Sequence, residues 1–399
     1  MTRAFRYAVI GAGGIGSAAA YWLSRVAGED VLCLEQWALG HGRGASEDHS
    51  RIIRLGYHAS RYTALTRASY AAWDVAERES GVALVHKTGM VNLARPGTQG
   101  ATILDNYAQA MSEHDIGYER FDADEVMRRW PQFRLDGEHR AVYQPDGGIL
   151  DIRKGVALHL ALARGNGATV LPQAEVTAIE DTGAGVRLST TAGQFEVEQL
   201  VLCAGAWTGQ LLATQLGIRW PIRLTQEQVT YFATTHLREF APDRFPIWIW
   251  HGDEEFYGFP VHGEVATKAA HELCGPAVTL DERSWEPDRE RVRKVADFVE
   301  GILPGYGGPE LYTRCCLYDM PPDRDFVIDR LPGHPRIAVC IGAGHAAKFA
   351  ALLGRILAEL TVDGATRFPI AAFRADRPAL VDPSYAPGYR LGGAAIAAV

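Results

Sequence analysis

Lysine is scarce in this chain. Of its 40 basic residues only five are lysines: Lys87, Lys154, Lys268, Lys294 and Lys348. Against an arginine background, each compact ammonium on its flexible stem stands out, because a lysine pKa shifts readily on burial. There is no basic run, the formal charge is −8 and the pI is about 5.9. A nucleic-acid binder carries a basic patch, so no nucleic-acid partner is expected. No stretch approaches the roughly 18 apolar residues of a membrane span, so no membrane partner is expected either. The chain enters a strand pattern almost at once, which leaves no signal peptide. The six cysteines show no CxxC and no metal-ligand spacing, so no metal is expected. Cys33, Cys203 and Cys340 sit in apolar strand-like runs and read as core. These absences point to a soluble, cytoplasmic protein. At 399 residues, 47% of them hydrophobic, it has room for two or three domains.

What is present begins at Tyr7. Tyr7 to Ile10 is a short apolar run suited to a buried parallel strand. Gly11, Gly13 and Gly16 follow as G-x-G-x-x-G, and Ser17 to Leu23 continues with helix formers. Gly11 permits the tight turn, Gly13 lets a pyrophosphate approach the backbone, and Gly16 lets helix and strand pack closely. The helix N-terminus then offers free N–H groups to the phosphates. A second strand, Asp30 to Leu34, ends at Glu35, whose carboxylate suits a ribose and repels a 2′-phosphate. Strand, helix, second strand and acid together point to a dinucleotide site; a glycine-rich turn without a ligand is the alternative. The fingerprint alone does not separate NAD from FAD.

Further along, Arg51 and Arg54 flank Ile52 and Ile53. If the piece is extended they point to opposite faces, one toward a cofactor and one toward a substrate anion. Two solvated arginines are the plainer reading. Asp151 is placed to cap the helix running to Arg164. From Ile222 the pattern becomes alternating strands, which after a βαβ opening suggests a second sheet domain. Gly342-Ala343-Gly344-His345 opens a helix at Ala346, a second helix N-terminus able to accept an anion.

These pieces resemble the sarcosine oxidase-like amine oxidases of the D-amino-acid-oxidase superfamily. The resemblance rests on IGAGGIGSAAAYWL with Glu35, SRIIR at 50–54, KTG at 87–89, and YGFP at 257–260 with Lys268 beyond it. It continues through CLYDMPPDRDFVID at 316–329, GAGHAAKFA at 342–350 and DRPAL at 376–380, covering nearly the whole chain. It implies an α/β fold: a Rossmann-type FAD-binding domain with an inserted α+β substrate domain built on an antiparallel sheet. The expected FAD domain is discontinuous (1–85, 143–220 and 319–383), the substrate domain covers 86–142 and 221–318, and 384–399 form a loosely ordered tail.

Carried over by position, the resemblance implies that Gly11, Gly13, Gly16 and Glu35 hold the ADP half of FAD, with Val176 near the adenine. The turn from Gly344 to Lys348 would meet the pyrimidine end, where a reduced flavin carries negative charge. Arg54 and Lys348 would clamp a substrate carboxylate, Arg51 would lie over the flavin, and Lys268 would activate oxygen. Tyr257 and Tyr318 would line the substrate cavity. Cys316 falls where family members carry a covalent thioether to the flavin; Cys315 is adjacent, but alternation lets only one of them face it. Trp248 and Trp250 precede YGFP, in a stretch that walls the cavity in the family; lining it, they would suit a substrate bulkier than sarcosine, and equally they read as core. The family often sets its lysine and a downstream histidine further apart than Lys268 and His271, so His271 reads as an ordinary surface histidine.

The function expected is an FAD-dependent oxidase of secondary or N-methylated amino acids. Its partners would be a small amino acid and molecular oxygen, its product hydrogen peroxide, and its state a monomer or small homo-oligomer. A flavin dehydrogenase or biosynthetic oxidase of a cyclic imino acid is the nearest alternative, separated by oxygen reactivity. An NAD-binding dehydrogenase or a non-catalytic flavoprotein is the alternative of another class, separated by the colour of the purified protein.

Overall fold

A computed structural model describes residues 3–388, with the backbone of 390–391 and 394–395. The remainder of the expected tail, 384–399, lies outside the described residues. Two large sheets organise the chain. The first has eight strands, and its centre is the strand Arg3–Ile10, which pairs in parallel with Val31–Leu34 on one side and Gly193–Leu202 on the other. Val31–Leu34 and the end of Gly193–Leu202, from Leu200 on, are apolar runs buried on two faces, as parallel strands under helices must be. Past Leu200 the long Gly193–Leu202 strand also pairs in parallel with His334–Ile341, so the sheet continues into the C-terminal part of the chain.

The helices Ile152–Gly165 and Ala350–Val362 both pack against Gly14–Ala27 over this sheet. Small side chains allow the close approach: a Cβ on Gly354 would sit 2.5 Å from the Cβ of Ala18. Cys33, Cys203 and Cys340 are all buried in the core here.

The second sheet has nine strands, mostly antiparallel. Arg223–Phe232, Thr267–His271, Glu255–Phe259 and Ile247–His251 lie side by side, and Glu310–Met320 pairs with Arg223–Phe232 along its whole length. The helix Arg289–Ile302 covers one face of this sheet through Val295 and Val299. It begins at Arg289 because Asp288 accepts from the backbone N–H groups of Glu290 and Arg291, which makes Asp288 the cap. Asp151 behaves otherwise than expected. It occupies the N-cap position of Ile152–Gly165, but its carboxylate makes no capping bond and is drawn to His86, His262 and Lys154. No helix among the described residues is long and apolar enough to cross a membrane.

Candidate active site

A cavity of about 1030 Å³ runs between the two sheets, lined at one end by Gly11, Gly13, Glu35 and Val176 and at the other by Arg54, Tyr257 and Lys348. The glycine turn is built for close approach. A Cβ on Gly16 would fall 1.8 Å from the carbonyl oxygen of Gly11, so only glycine lets helix and strand meet. A Cβ on Gly13 would meet nothing nearer than the Ser46 hydroxyl at 3.8 Å, so this backbone opens onto the cavity. Glu35 accepts from the backbone N–H of Ala12 at 3.0 Å and of Trp37 at 3.1 Å. Burial raises its pKa, but the His41 bond and these two amides outweigh it, so it stays ionised. Open backbone, helix N-terminus and ionised acid fit the ADP half of a dinucleotide.

In the middle of the cavity stand Arg51, Lys268 and Cys316. Alternation along Glu310–Met320 puts Cys316 and Tyr318 on one face and Cys315 on the other. The charged neighbours differ accordingly: Arg51 is the largest charged influence on Cys316, Arg291 on Cys315. Burial pushes the Cys316 thiol up to about 12, and Arg51 acts against that rise. Lys268 is 2% exposed and donates to Asp48 at 2.5 Å, to the Ser50 carbonyl at 2.9 Å and to the Ser50 hydroxyl at 3.1 Å.

At the far end two cations converge on one phenol. Lys348 donates to the Tyr57 hydroxyl at 2.9 Å and to the His345 carbonyl at 3.0 Å. The Arg54 guanidinium lies 4.3 Å from the Tyr57 ring centroid and 5.4 Å from that of Tyr107, and its buried Nε has no partner. Among the described residues neither cation has a carboxylate within ion-pair distance. Burial pulls the Lys348 pKa down, while Tyr57 opposes the fall. Tyr257 and Tyr318 line the same end, and burial raises both phenols, which keeps them protonated donors.

The turn at Gly344 departs from expectation. Gly344 has φ +74°, and a Cβ there would strike the Tyr318 ring at 2.4 Å, so glycine is required. Two of the amides expected to receive an anion are already engaged: Gly342 and Gly344 donate to the Asp319 carboxylate at 3.3 and 3.2 Å. Burial lifts the Asp319 pKa to about 6, with these amides pulling against it. The helix proper starts only at Ala350, after a tighter turn over Ala346–Phe349.

Trp248 does not line the cavity, which corrects the expectation. It is wholly buried in the core, 5.8 Å from Tyr306 and 6.3 Å from Phe298 between ring centroids. The reason is cross-strand. Trp248 pairs with Gly258, and a Cβ on Gly258 would meet the indole at 2.5 Å, so the missing side chain makes the room that the indole fills. Trp250 likewise packs on Phe298, and Ile249 and His251 are the residues of that strand on the cavity wall. The tryptophans therefore give no support for a bulky substrate. His271 is no surface residue: its ring stacks on Phe256 at 4.5 Å, and its Nε2 lies 3.6 Å from Glu254.

Among the cavity residues that escaped the sequence reading are Asp48, Tyr57 and Glu272. Asp48 lies in a polar loop without periodicity. Glu272 carried a usable signal, since it follows Lys268 by four positions and strand alternation puts both on one face. Its carboxylate accepts from Arg324 at 2.6 Å and acts electrostatically on Arg54 and Lys348. Outside the cavity, His86, Asp151 and His262 lie close enough together to hold a metal ion. There the carboxylate is already engaged by both imidazoles and by the Lys154 ammonium.

Residues 6–360 match the family described as FAD dependent oxidoreductase, which decides between the two dinucleotides the fingerprint left open. The chain is 34% identical over 381 residues to monomeric sarcosine oxidase of Streptomyces avermitilis, covering 94% of this chain and 97% of that protein. It is 29% identical over 376 residues to N-methyl-L-tryptophan oxidase of Escherichia coli K12, covering 92% and 98%. Among solved structures, NikD, an unusual amino acid oxidase essential for nikkomycin biosynthesis, superposes with a TM-score of 0.81 at 26% identity, covering 94% and 98%.

Proposed function

Because the chain belongs to the FAD dependent oxidoreductase family, as an oxidase of the sarcosine oxidase and N-methyltryptophan oxidase type, we propose that its substrates are secondary or N-methylated amino acids. The observation that carries this reading is the pair of buried cations at Tyr57. Arg54 and Lys348 have no carboxylate within ion-pair distance among the described residues, and two charges in a buried site are costly unless an anion completes them. A substrate carboxylate is that anion. Tyr57 spaces the two donors, and Glu272, on the opposite side of the charge balance, suits the amine of the same zwitterion.

FAD, when bound, supplies the hydride acceptor for the N–CH carbon and, through its reoxidation, the electrons that reduce oxygen to hydrogen peroxide. Gly11, Gly13, Gly16, Glu35 and Val176 would hold its ADP half, and the turn from Gly344 to Lys348 would meet its pyrimidine end through donors other than the Gly342 and Gly344 amides, which Asp319 takes. Cys316 would join it covalently through Sγ and the 8α carbon, with two electrons and two protons passed to oxygen. In this reading the strands of the first sheet belong to the FAD domain (1–85, 143–220 and 319–383). The second sheet builds the substrate domain (86–142 and 221–318).

The protein's own groups do the rest. Arg54 and Lys348 fix the carboxylate and thereby aim the N–CH carbon. Tyr257 and Tyr318 wall off water and offer hydroxyl donors. Arg51 and Lys268 hold positive charge where oxygen would become anionic. Water then hydrolyses the imine product to an amine and an aldehyde or oxo acid. The test is a peroxide-coupled assay over sarcosine, N-methyl aromatic amino acids, proline and pipecolate, with the matching decarboxylated amines as controls. The acids should be oxidised and the amines not; amines oxidised as well as their parent acids would sink the carboxylate clamp.

A further inference from the structure

Lys268 does not stand alone in its pocket. Asp48, itself 3% exposed, sits between it and Arg51. One carboxylate oxygen accepts from Lys268 at 2.5 Å and Arg51 at 3.1 Å; the other accepts from the Tyr231 hydroxyl at 2.6 Å and the His49 amide at 2.8 Å. Four donors thus fix a single acid, and they come from the loop before Arg51, from Arg51 itself, from strand Arg223–Phe232 and from strand Thr267–His271. The other groups facing Lys268 are the Phe259 ring at 4.5 Å, the Tyr231 ring at 5.6 Å, the Arg51 guanidinium and the Cys316 thiol.

Burial disfavours an ammonium, and Arg51 beside it disfavours it further; Asp48 is the anion that opposes both. The balance is close. Burial brings the Lys268 pKa down to about 8, with Asp48 pulling the other way, and the same contact holds Asp48 well below the usual carboxylate range.

We propose that Asp48 is the positioning residue that keeps the Lys268 side chain charged and aimed into the cavity, between Arg51 and Cys316. The proposal rests on the reading of Lys268 as the cation that serves oxygen, but its test does not. With five lysines in the chain, holoenzyme labelled with 13C at lysine Cε gives few enough signals to assign by Lys268→Met. The Lys268 signal is followed against pH in wild type, Asp48→Asn and Asp48→Glu. Removing the anion should lower the midpoint by about one pH unit or more, and Asp48→Glu should restore most of it. An unmoved midpoint in Asp48→Asn overturns the proposal. Should Asp48→Asn fail to fold, Tyr231→Phe carries the test. Loss of that donor concentrates the carboxylate on Lys268 and should raise the midpoint, and no rise overturns the proposal.

A second readout uses photoreduced holoenzyme reoxidised by oxygen without any amine substrate. The pH at which its rate falls should move down in Asp48→Asn in step with the NMR midpoint. Reoxidation by Lys268→Met at the wild-type rate would remove the oxygen role of Lys268, and the NMR midpoint would still decide the place of Asp48.

Discussion

Lys348 and Arg54 share Tyr57: the ammonium donates to its hydroxyl at 2.9 Å, and the guanidinium lies 4.3 Å from its ring centroid. If a substrate carboxylate completes this group, removing one donor should weaken acids selectively. Lys348→Ala should raise the apparent KM for amino acid substrates, since a charged hydrogen bond is worth on the order of 1.5–3 kcal/mol. Steady-state kinetics with an acid and its decarboxylated amine check it. An equal loss on both would show that Lys348 acts on something other than the carboxylate.

The cysteine pair gives a test independent of substrate. Alternation and the nearby Arg51 favour Cys316 over Cys315 for a thioether to the flavin. After acid denaturation the yellow colour should pellet with wild-type protein and with Cys315→Ser, and should stay in the supernatant with Cys316→Ser. Colour free in the wild-type supernatant removes the covalent link.

How much of this was legible in the sequence follows from how local each feature is. Gly11, Gly13, Gly16 and Glu35 form a unit of strand, turn, helix and strand, so their spacing carried the geometry. Alternation said only that one of Cys315 and Cys316 can face the flavin; the choice of Cys316 came from its place in the resemblance. Trp248 could not be placed, because its direction depends on the vacancy at Gly258 across the strand pair, and only the fold brings those two together. Asp48 was invisible for a related reason: two of its four donors, Tyr231 and Lys268, each lie more than 180 residues from it along the chain. Asp319 lay in plain view in CLYDMPPD, yet only the return of the chain at Gly342 shows what its carboxylate does.

Oxygen and substrate should respond to pH in opposite directions. The Lys268 pKa is lowered to about 8, so its charge is present below that pH and lost as pH rises through it. Stopped-flow reoxidation should therefore slow above about pH 8. Anaerobic reduction by an amine should instead speed up, because the neutral amine is the reactive form. Lys268→Met should abolish the first dependence and slow reoxidation by orders of magnitude, one well-placed electrostatic contact being worth about 3–4 kcal/mol. Equal damage to both half-reactions would assign Lys268 a structural role.

Glu272 tests the amine side of the site. Its carboxylate lies on the cavity wall, held by Arg324 at 2.6 Å and coupled electrostatically to Arg54 and Lys348. Glu272→Gln keeps the shape and removes the charge. It should raise KM most at low pH, where the substrate amine is protonated and profits from a nearby anion, and least at high pH. A pH-independent change would mean that Glu272 serves only to hold Arg324.

Trp248 separates core from cavity. The sequence placed it on the substrate wall; the structure puts it wholly inside, against Tyr306 and Phe298, with Ile249 and His251 on the wall instead. Truncating a core tryptophan to alanine costs about 3–5 kcal/mol, so Trp248→Ala should lower the melting temperature sharply. The milder Trp248→Phe should lose less stability and leave the ranking of sarcosine, N-methyl aromatic amino acids, proline and pipecolate unchanged. Ile249→Ala should do the reverse. Ile249 is buried but lies on the cavity wall, so the ranking should shift toward larger substrates, for a smaller loss of stability than Trp248→Ala brings. Thermal melts and the peroxide-coupled panel read both effects on the same preparations. If Trp248→Phe reorders the panel while its melting temperature holds, the indole faces the substrate after all and the register argued from Gly258 is wrong.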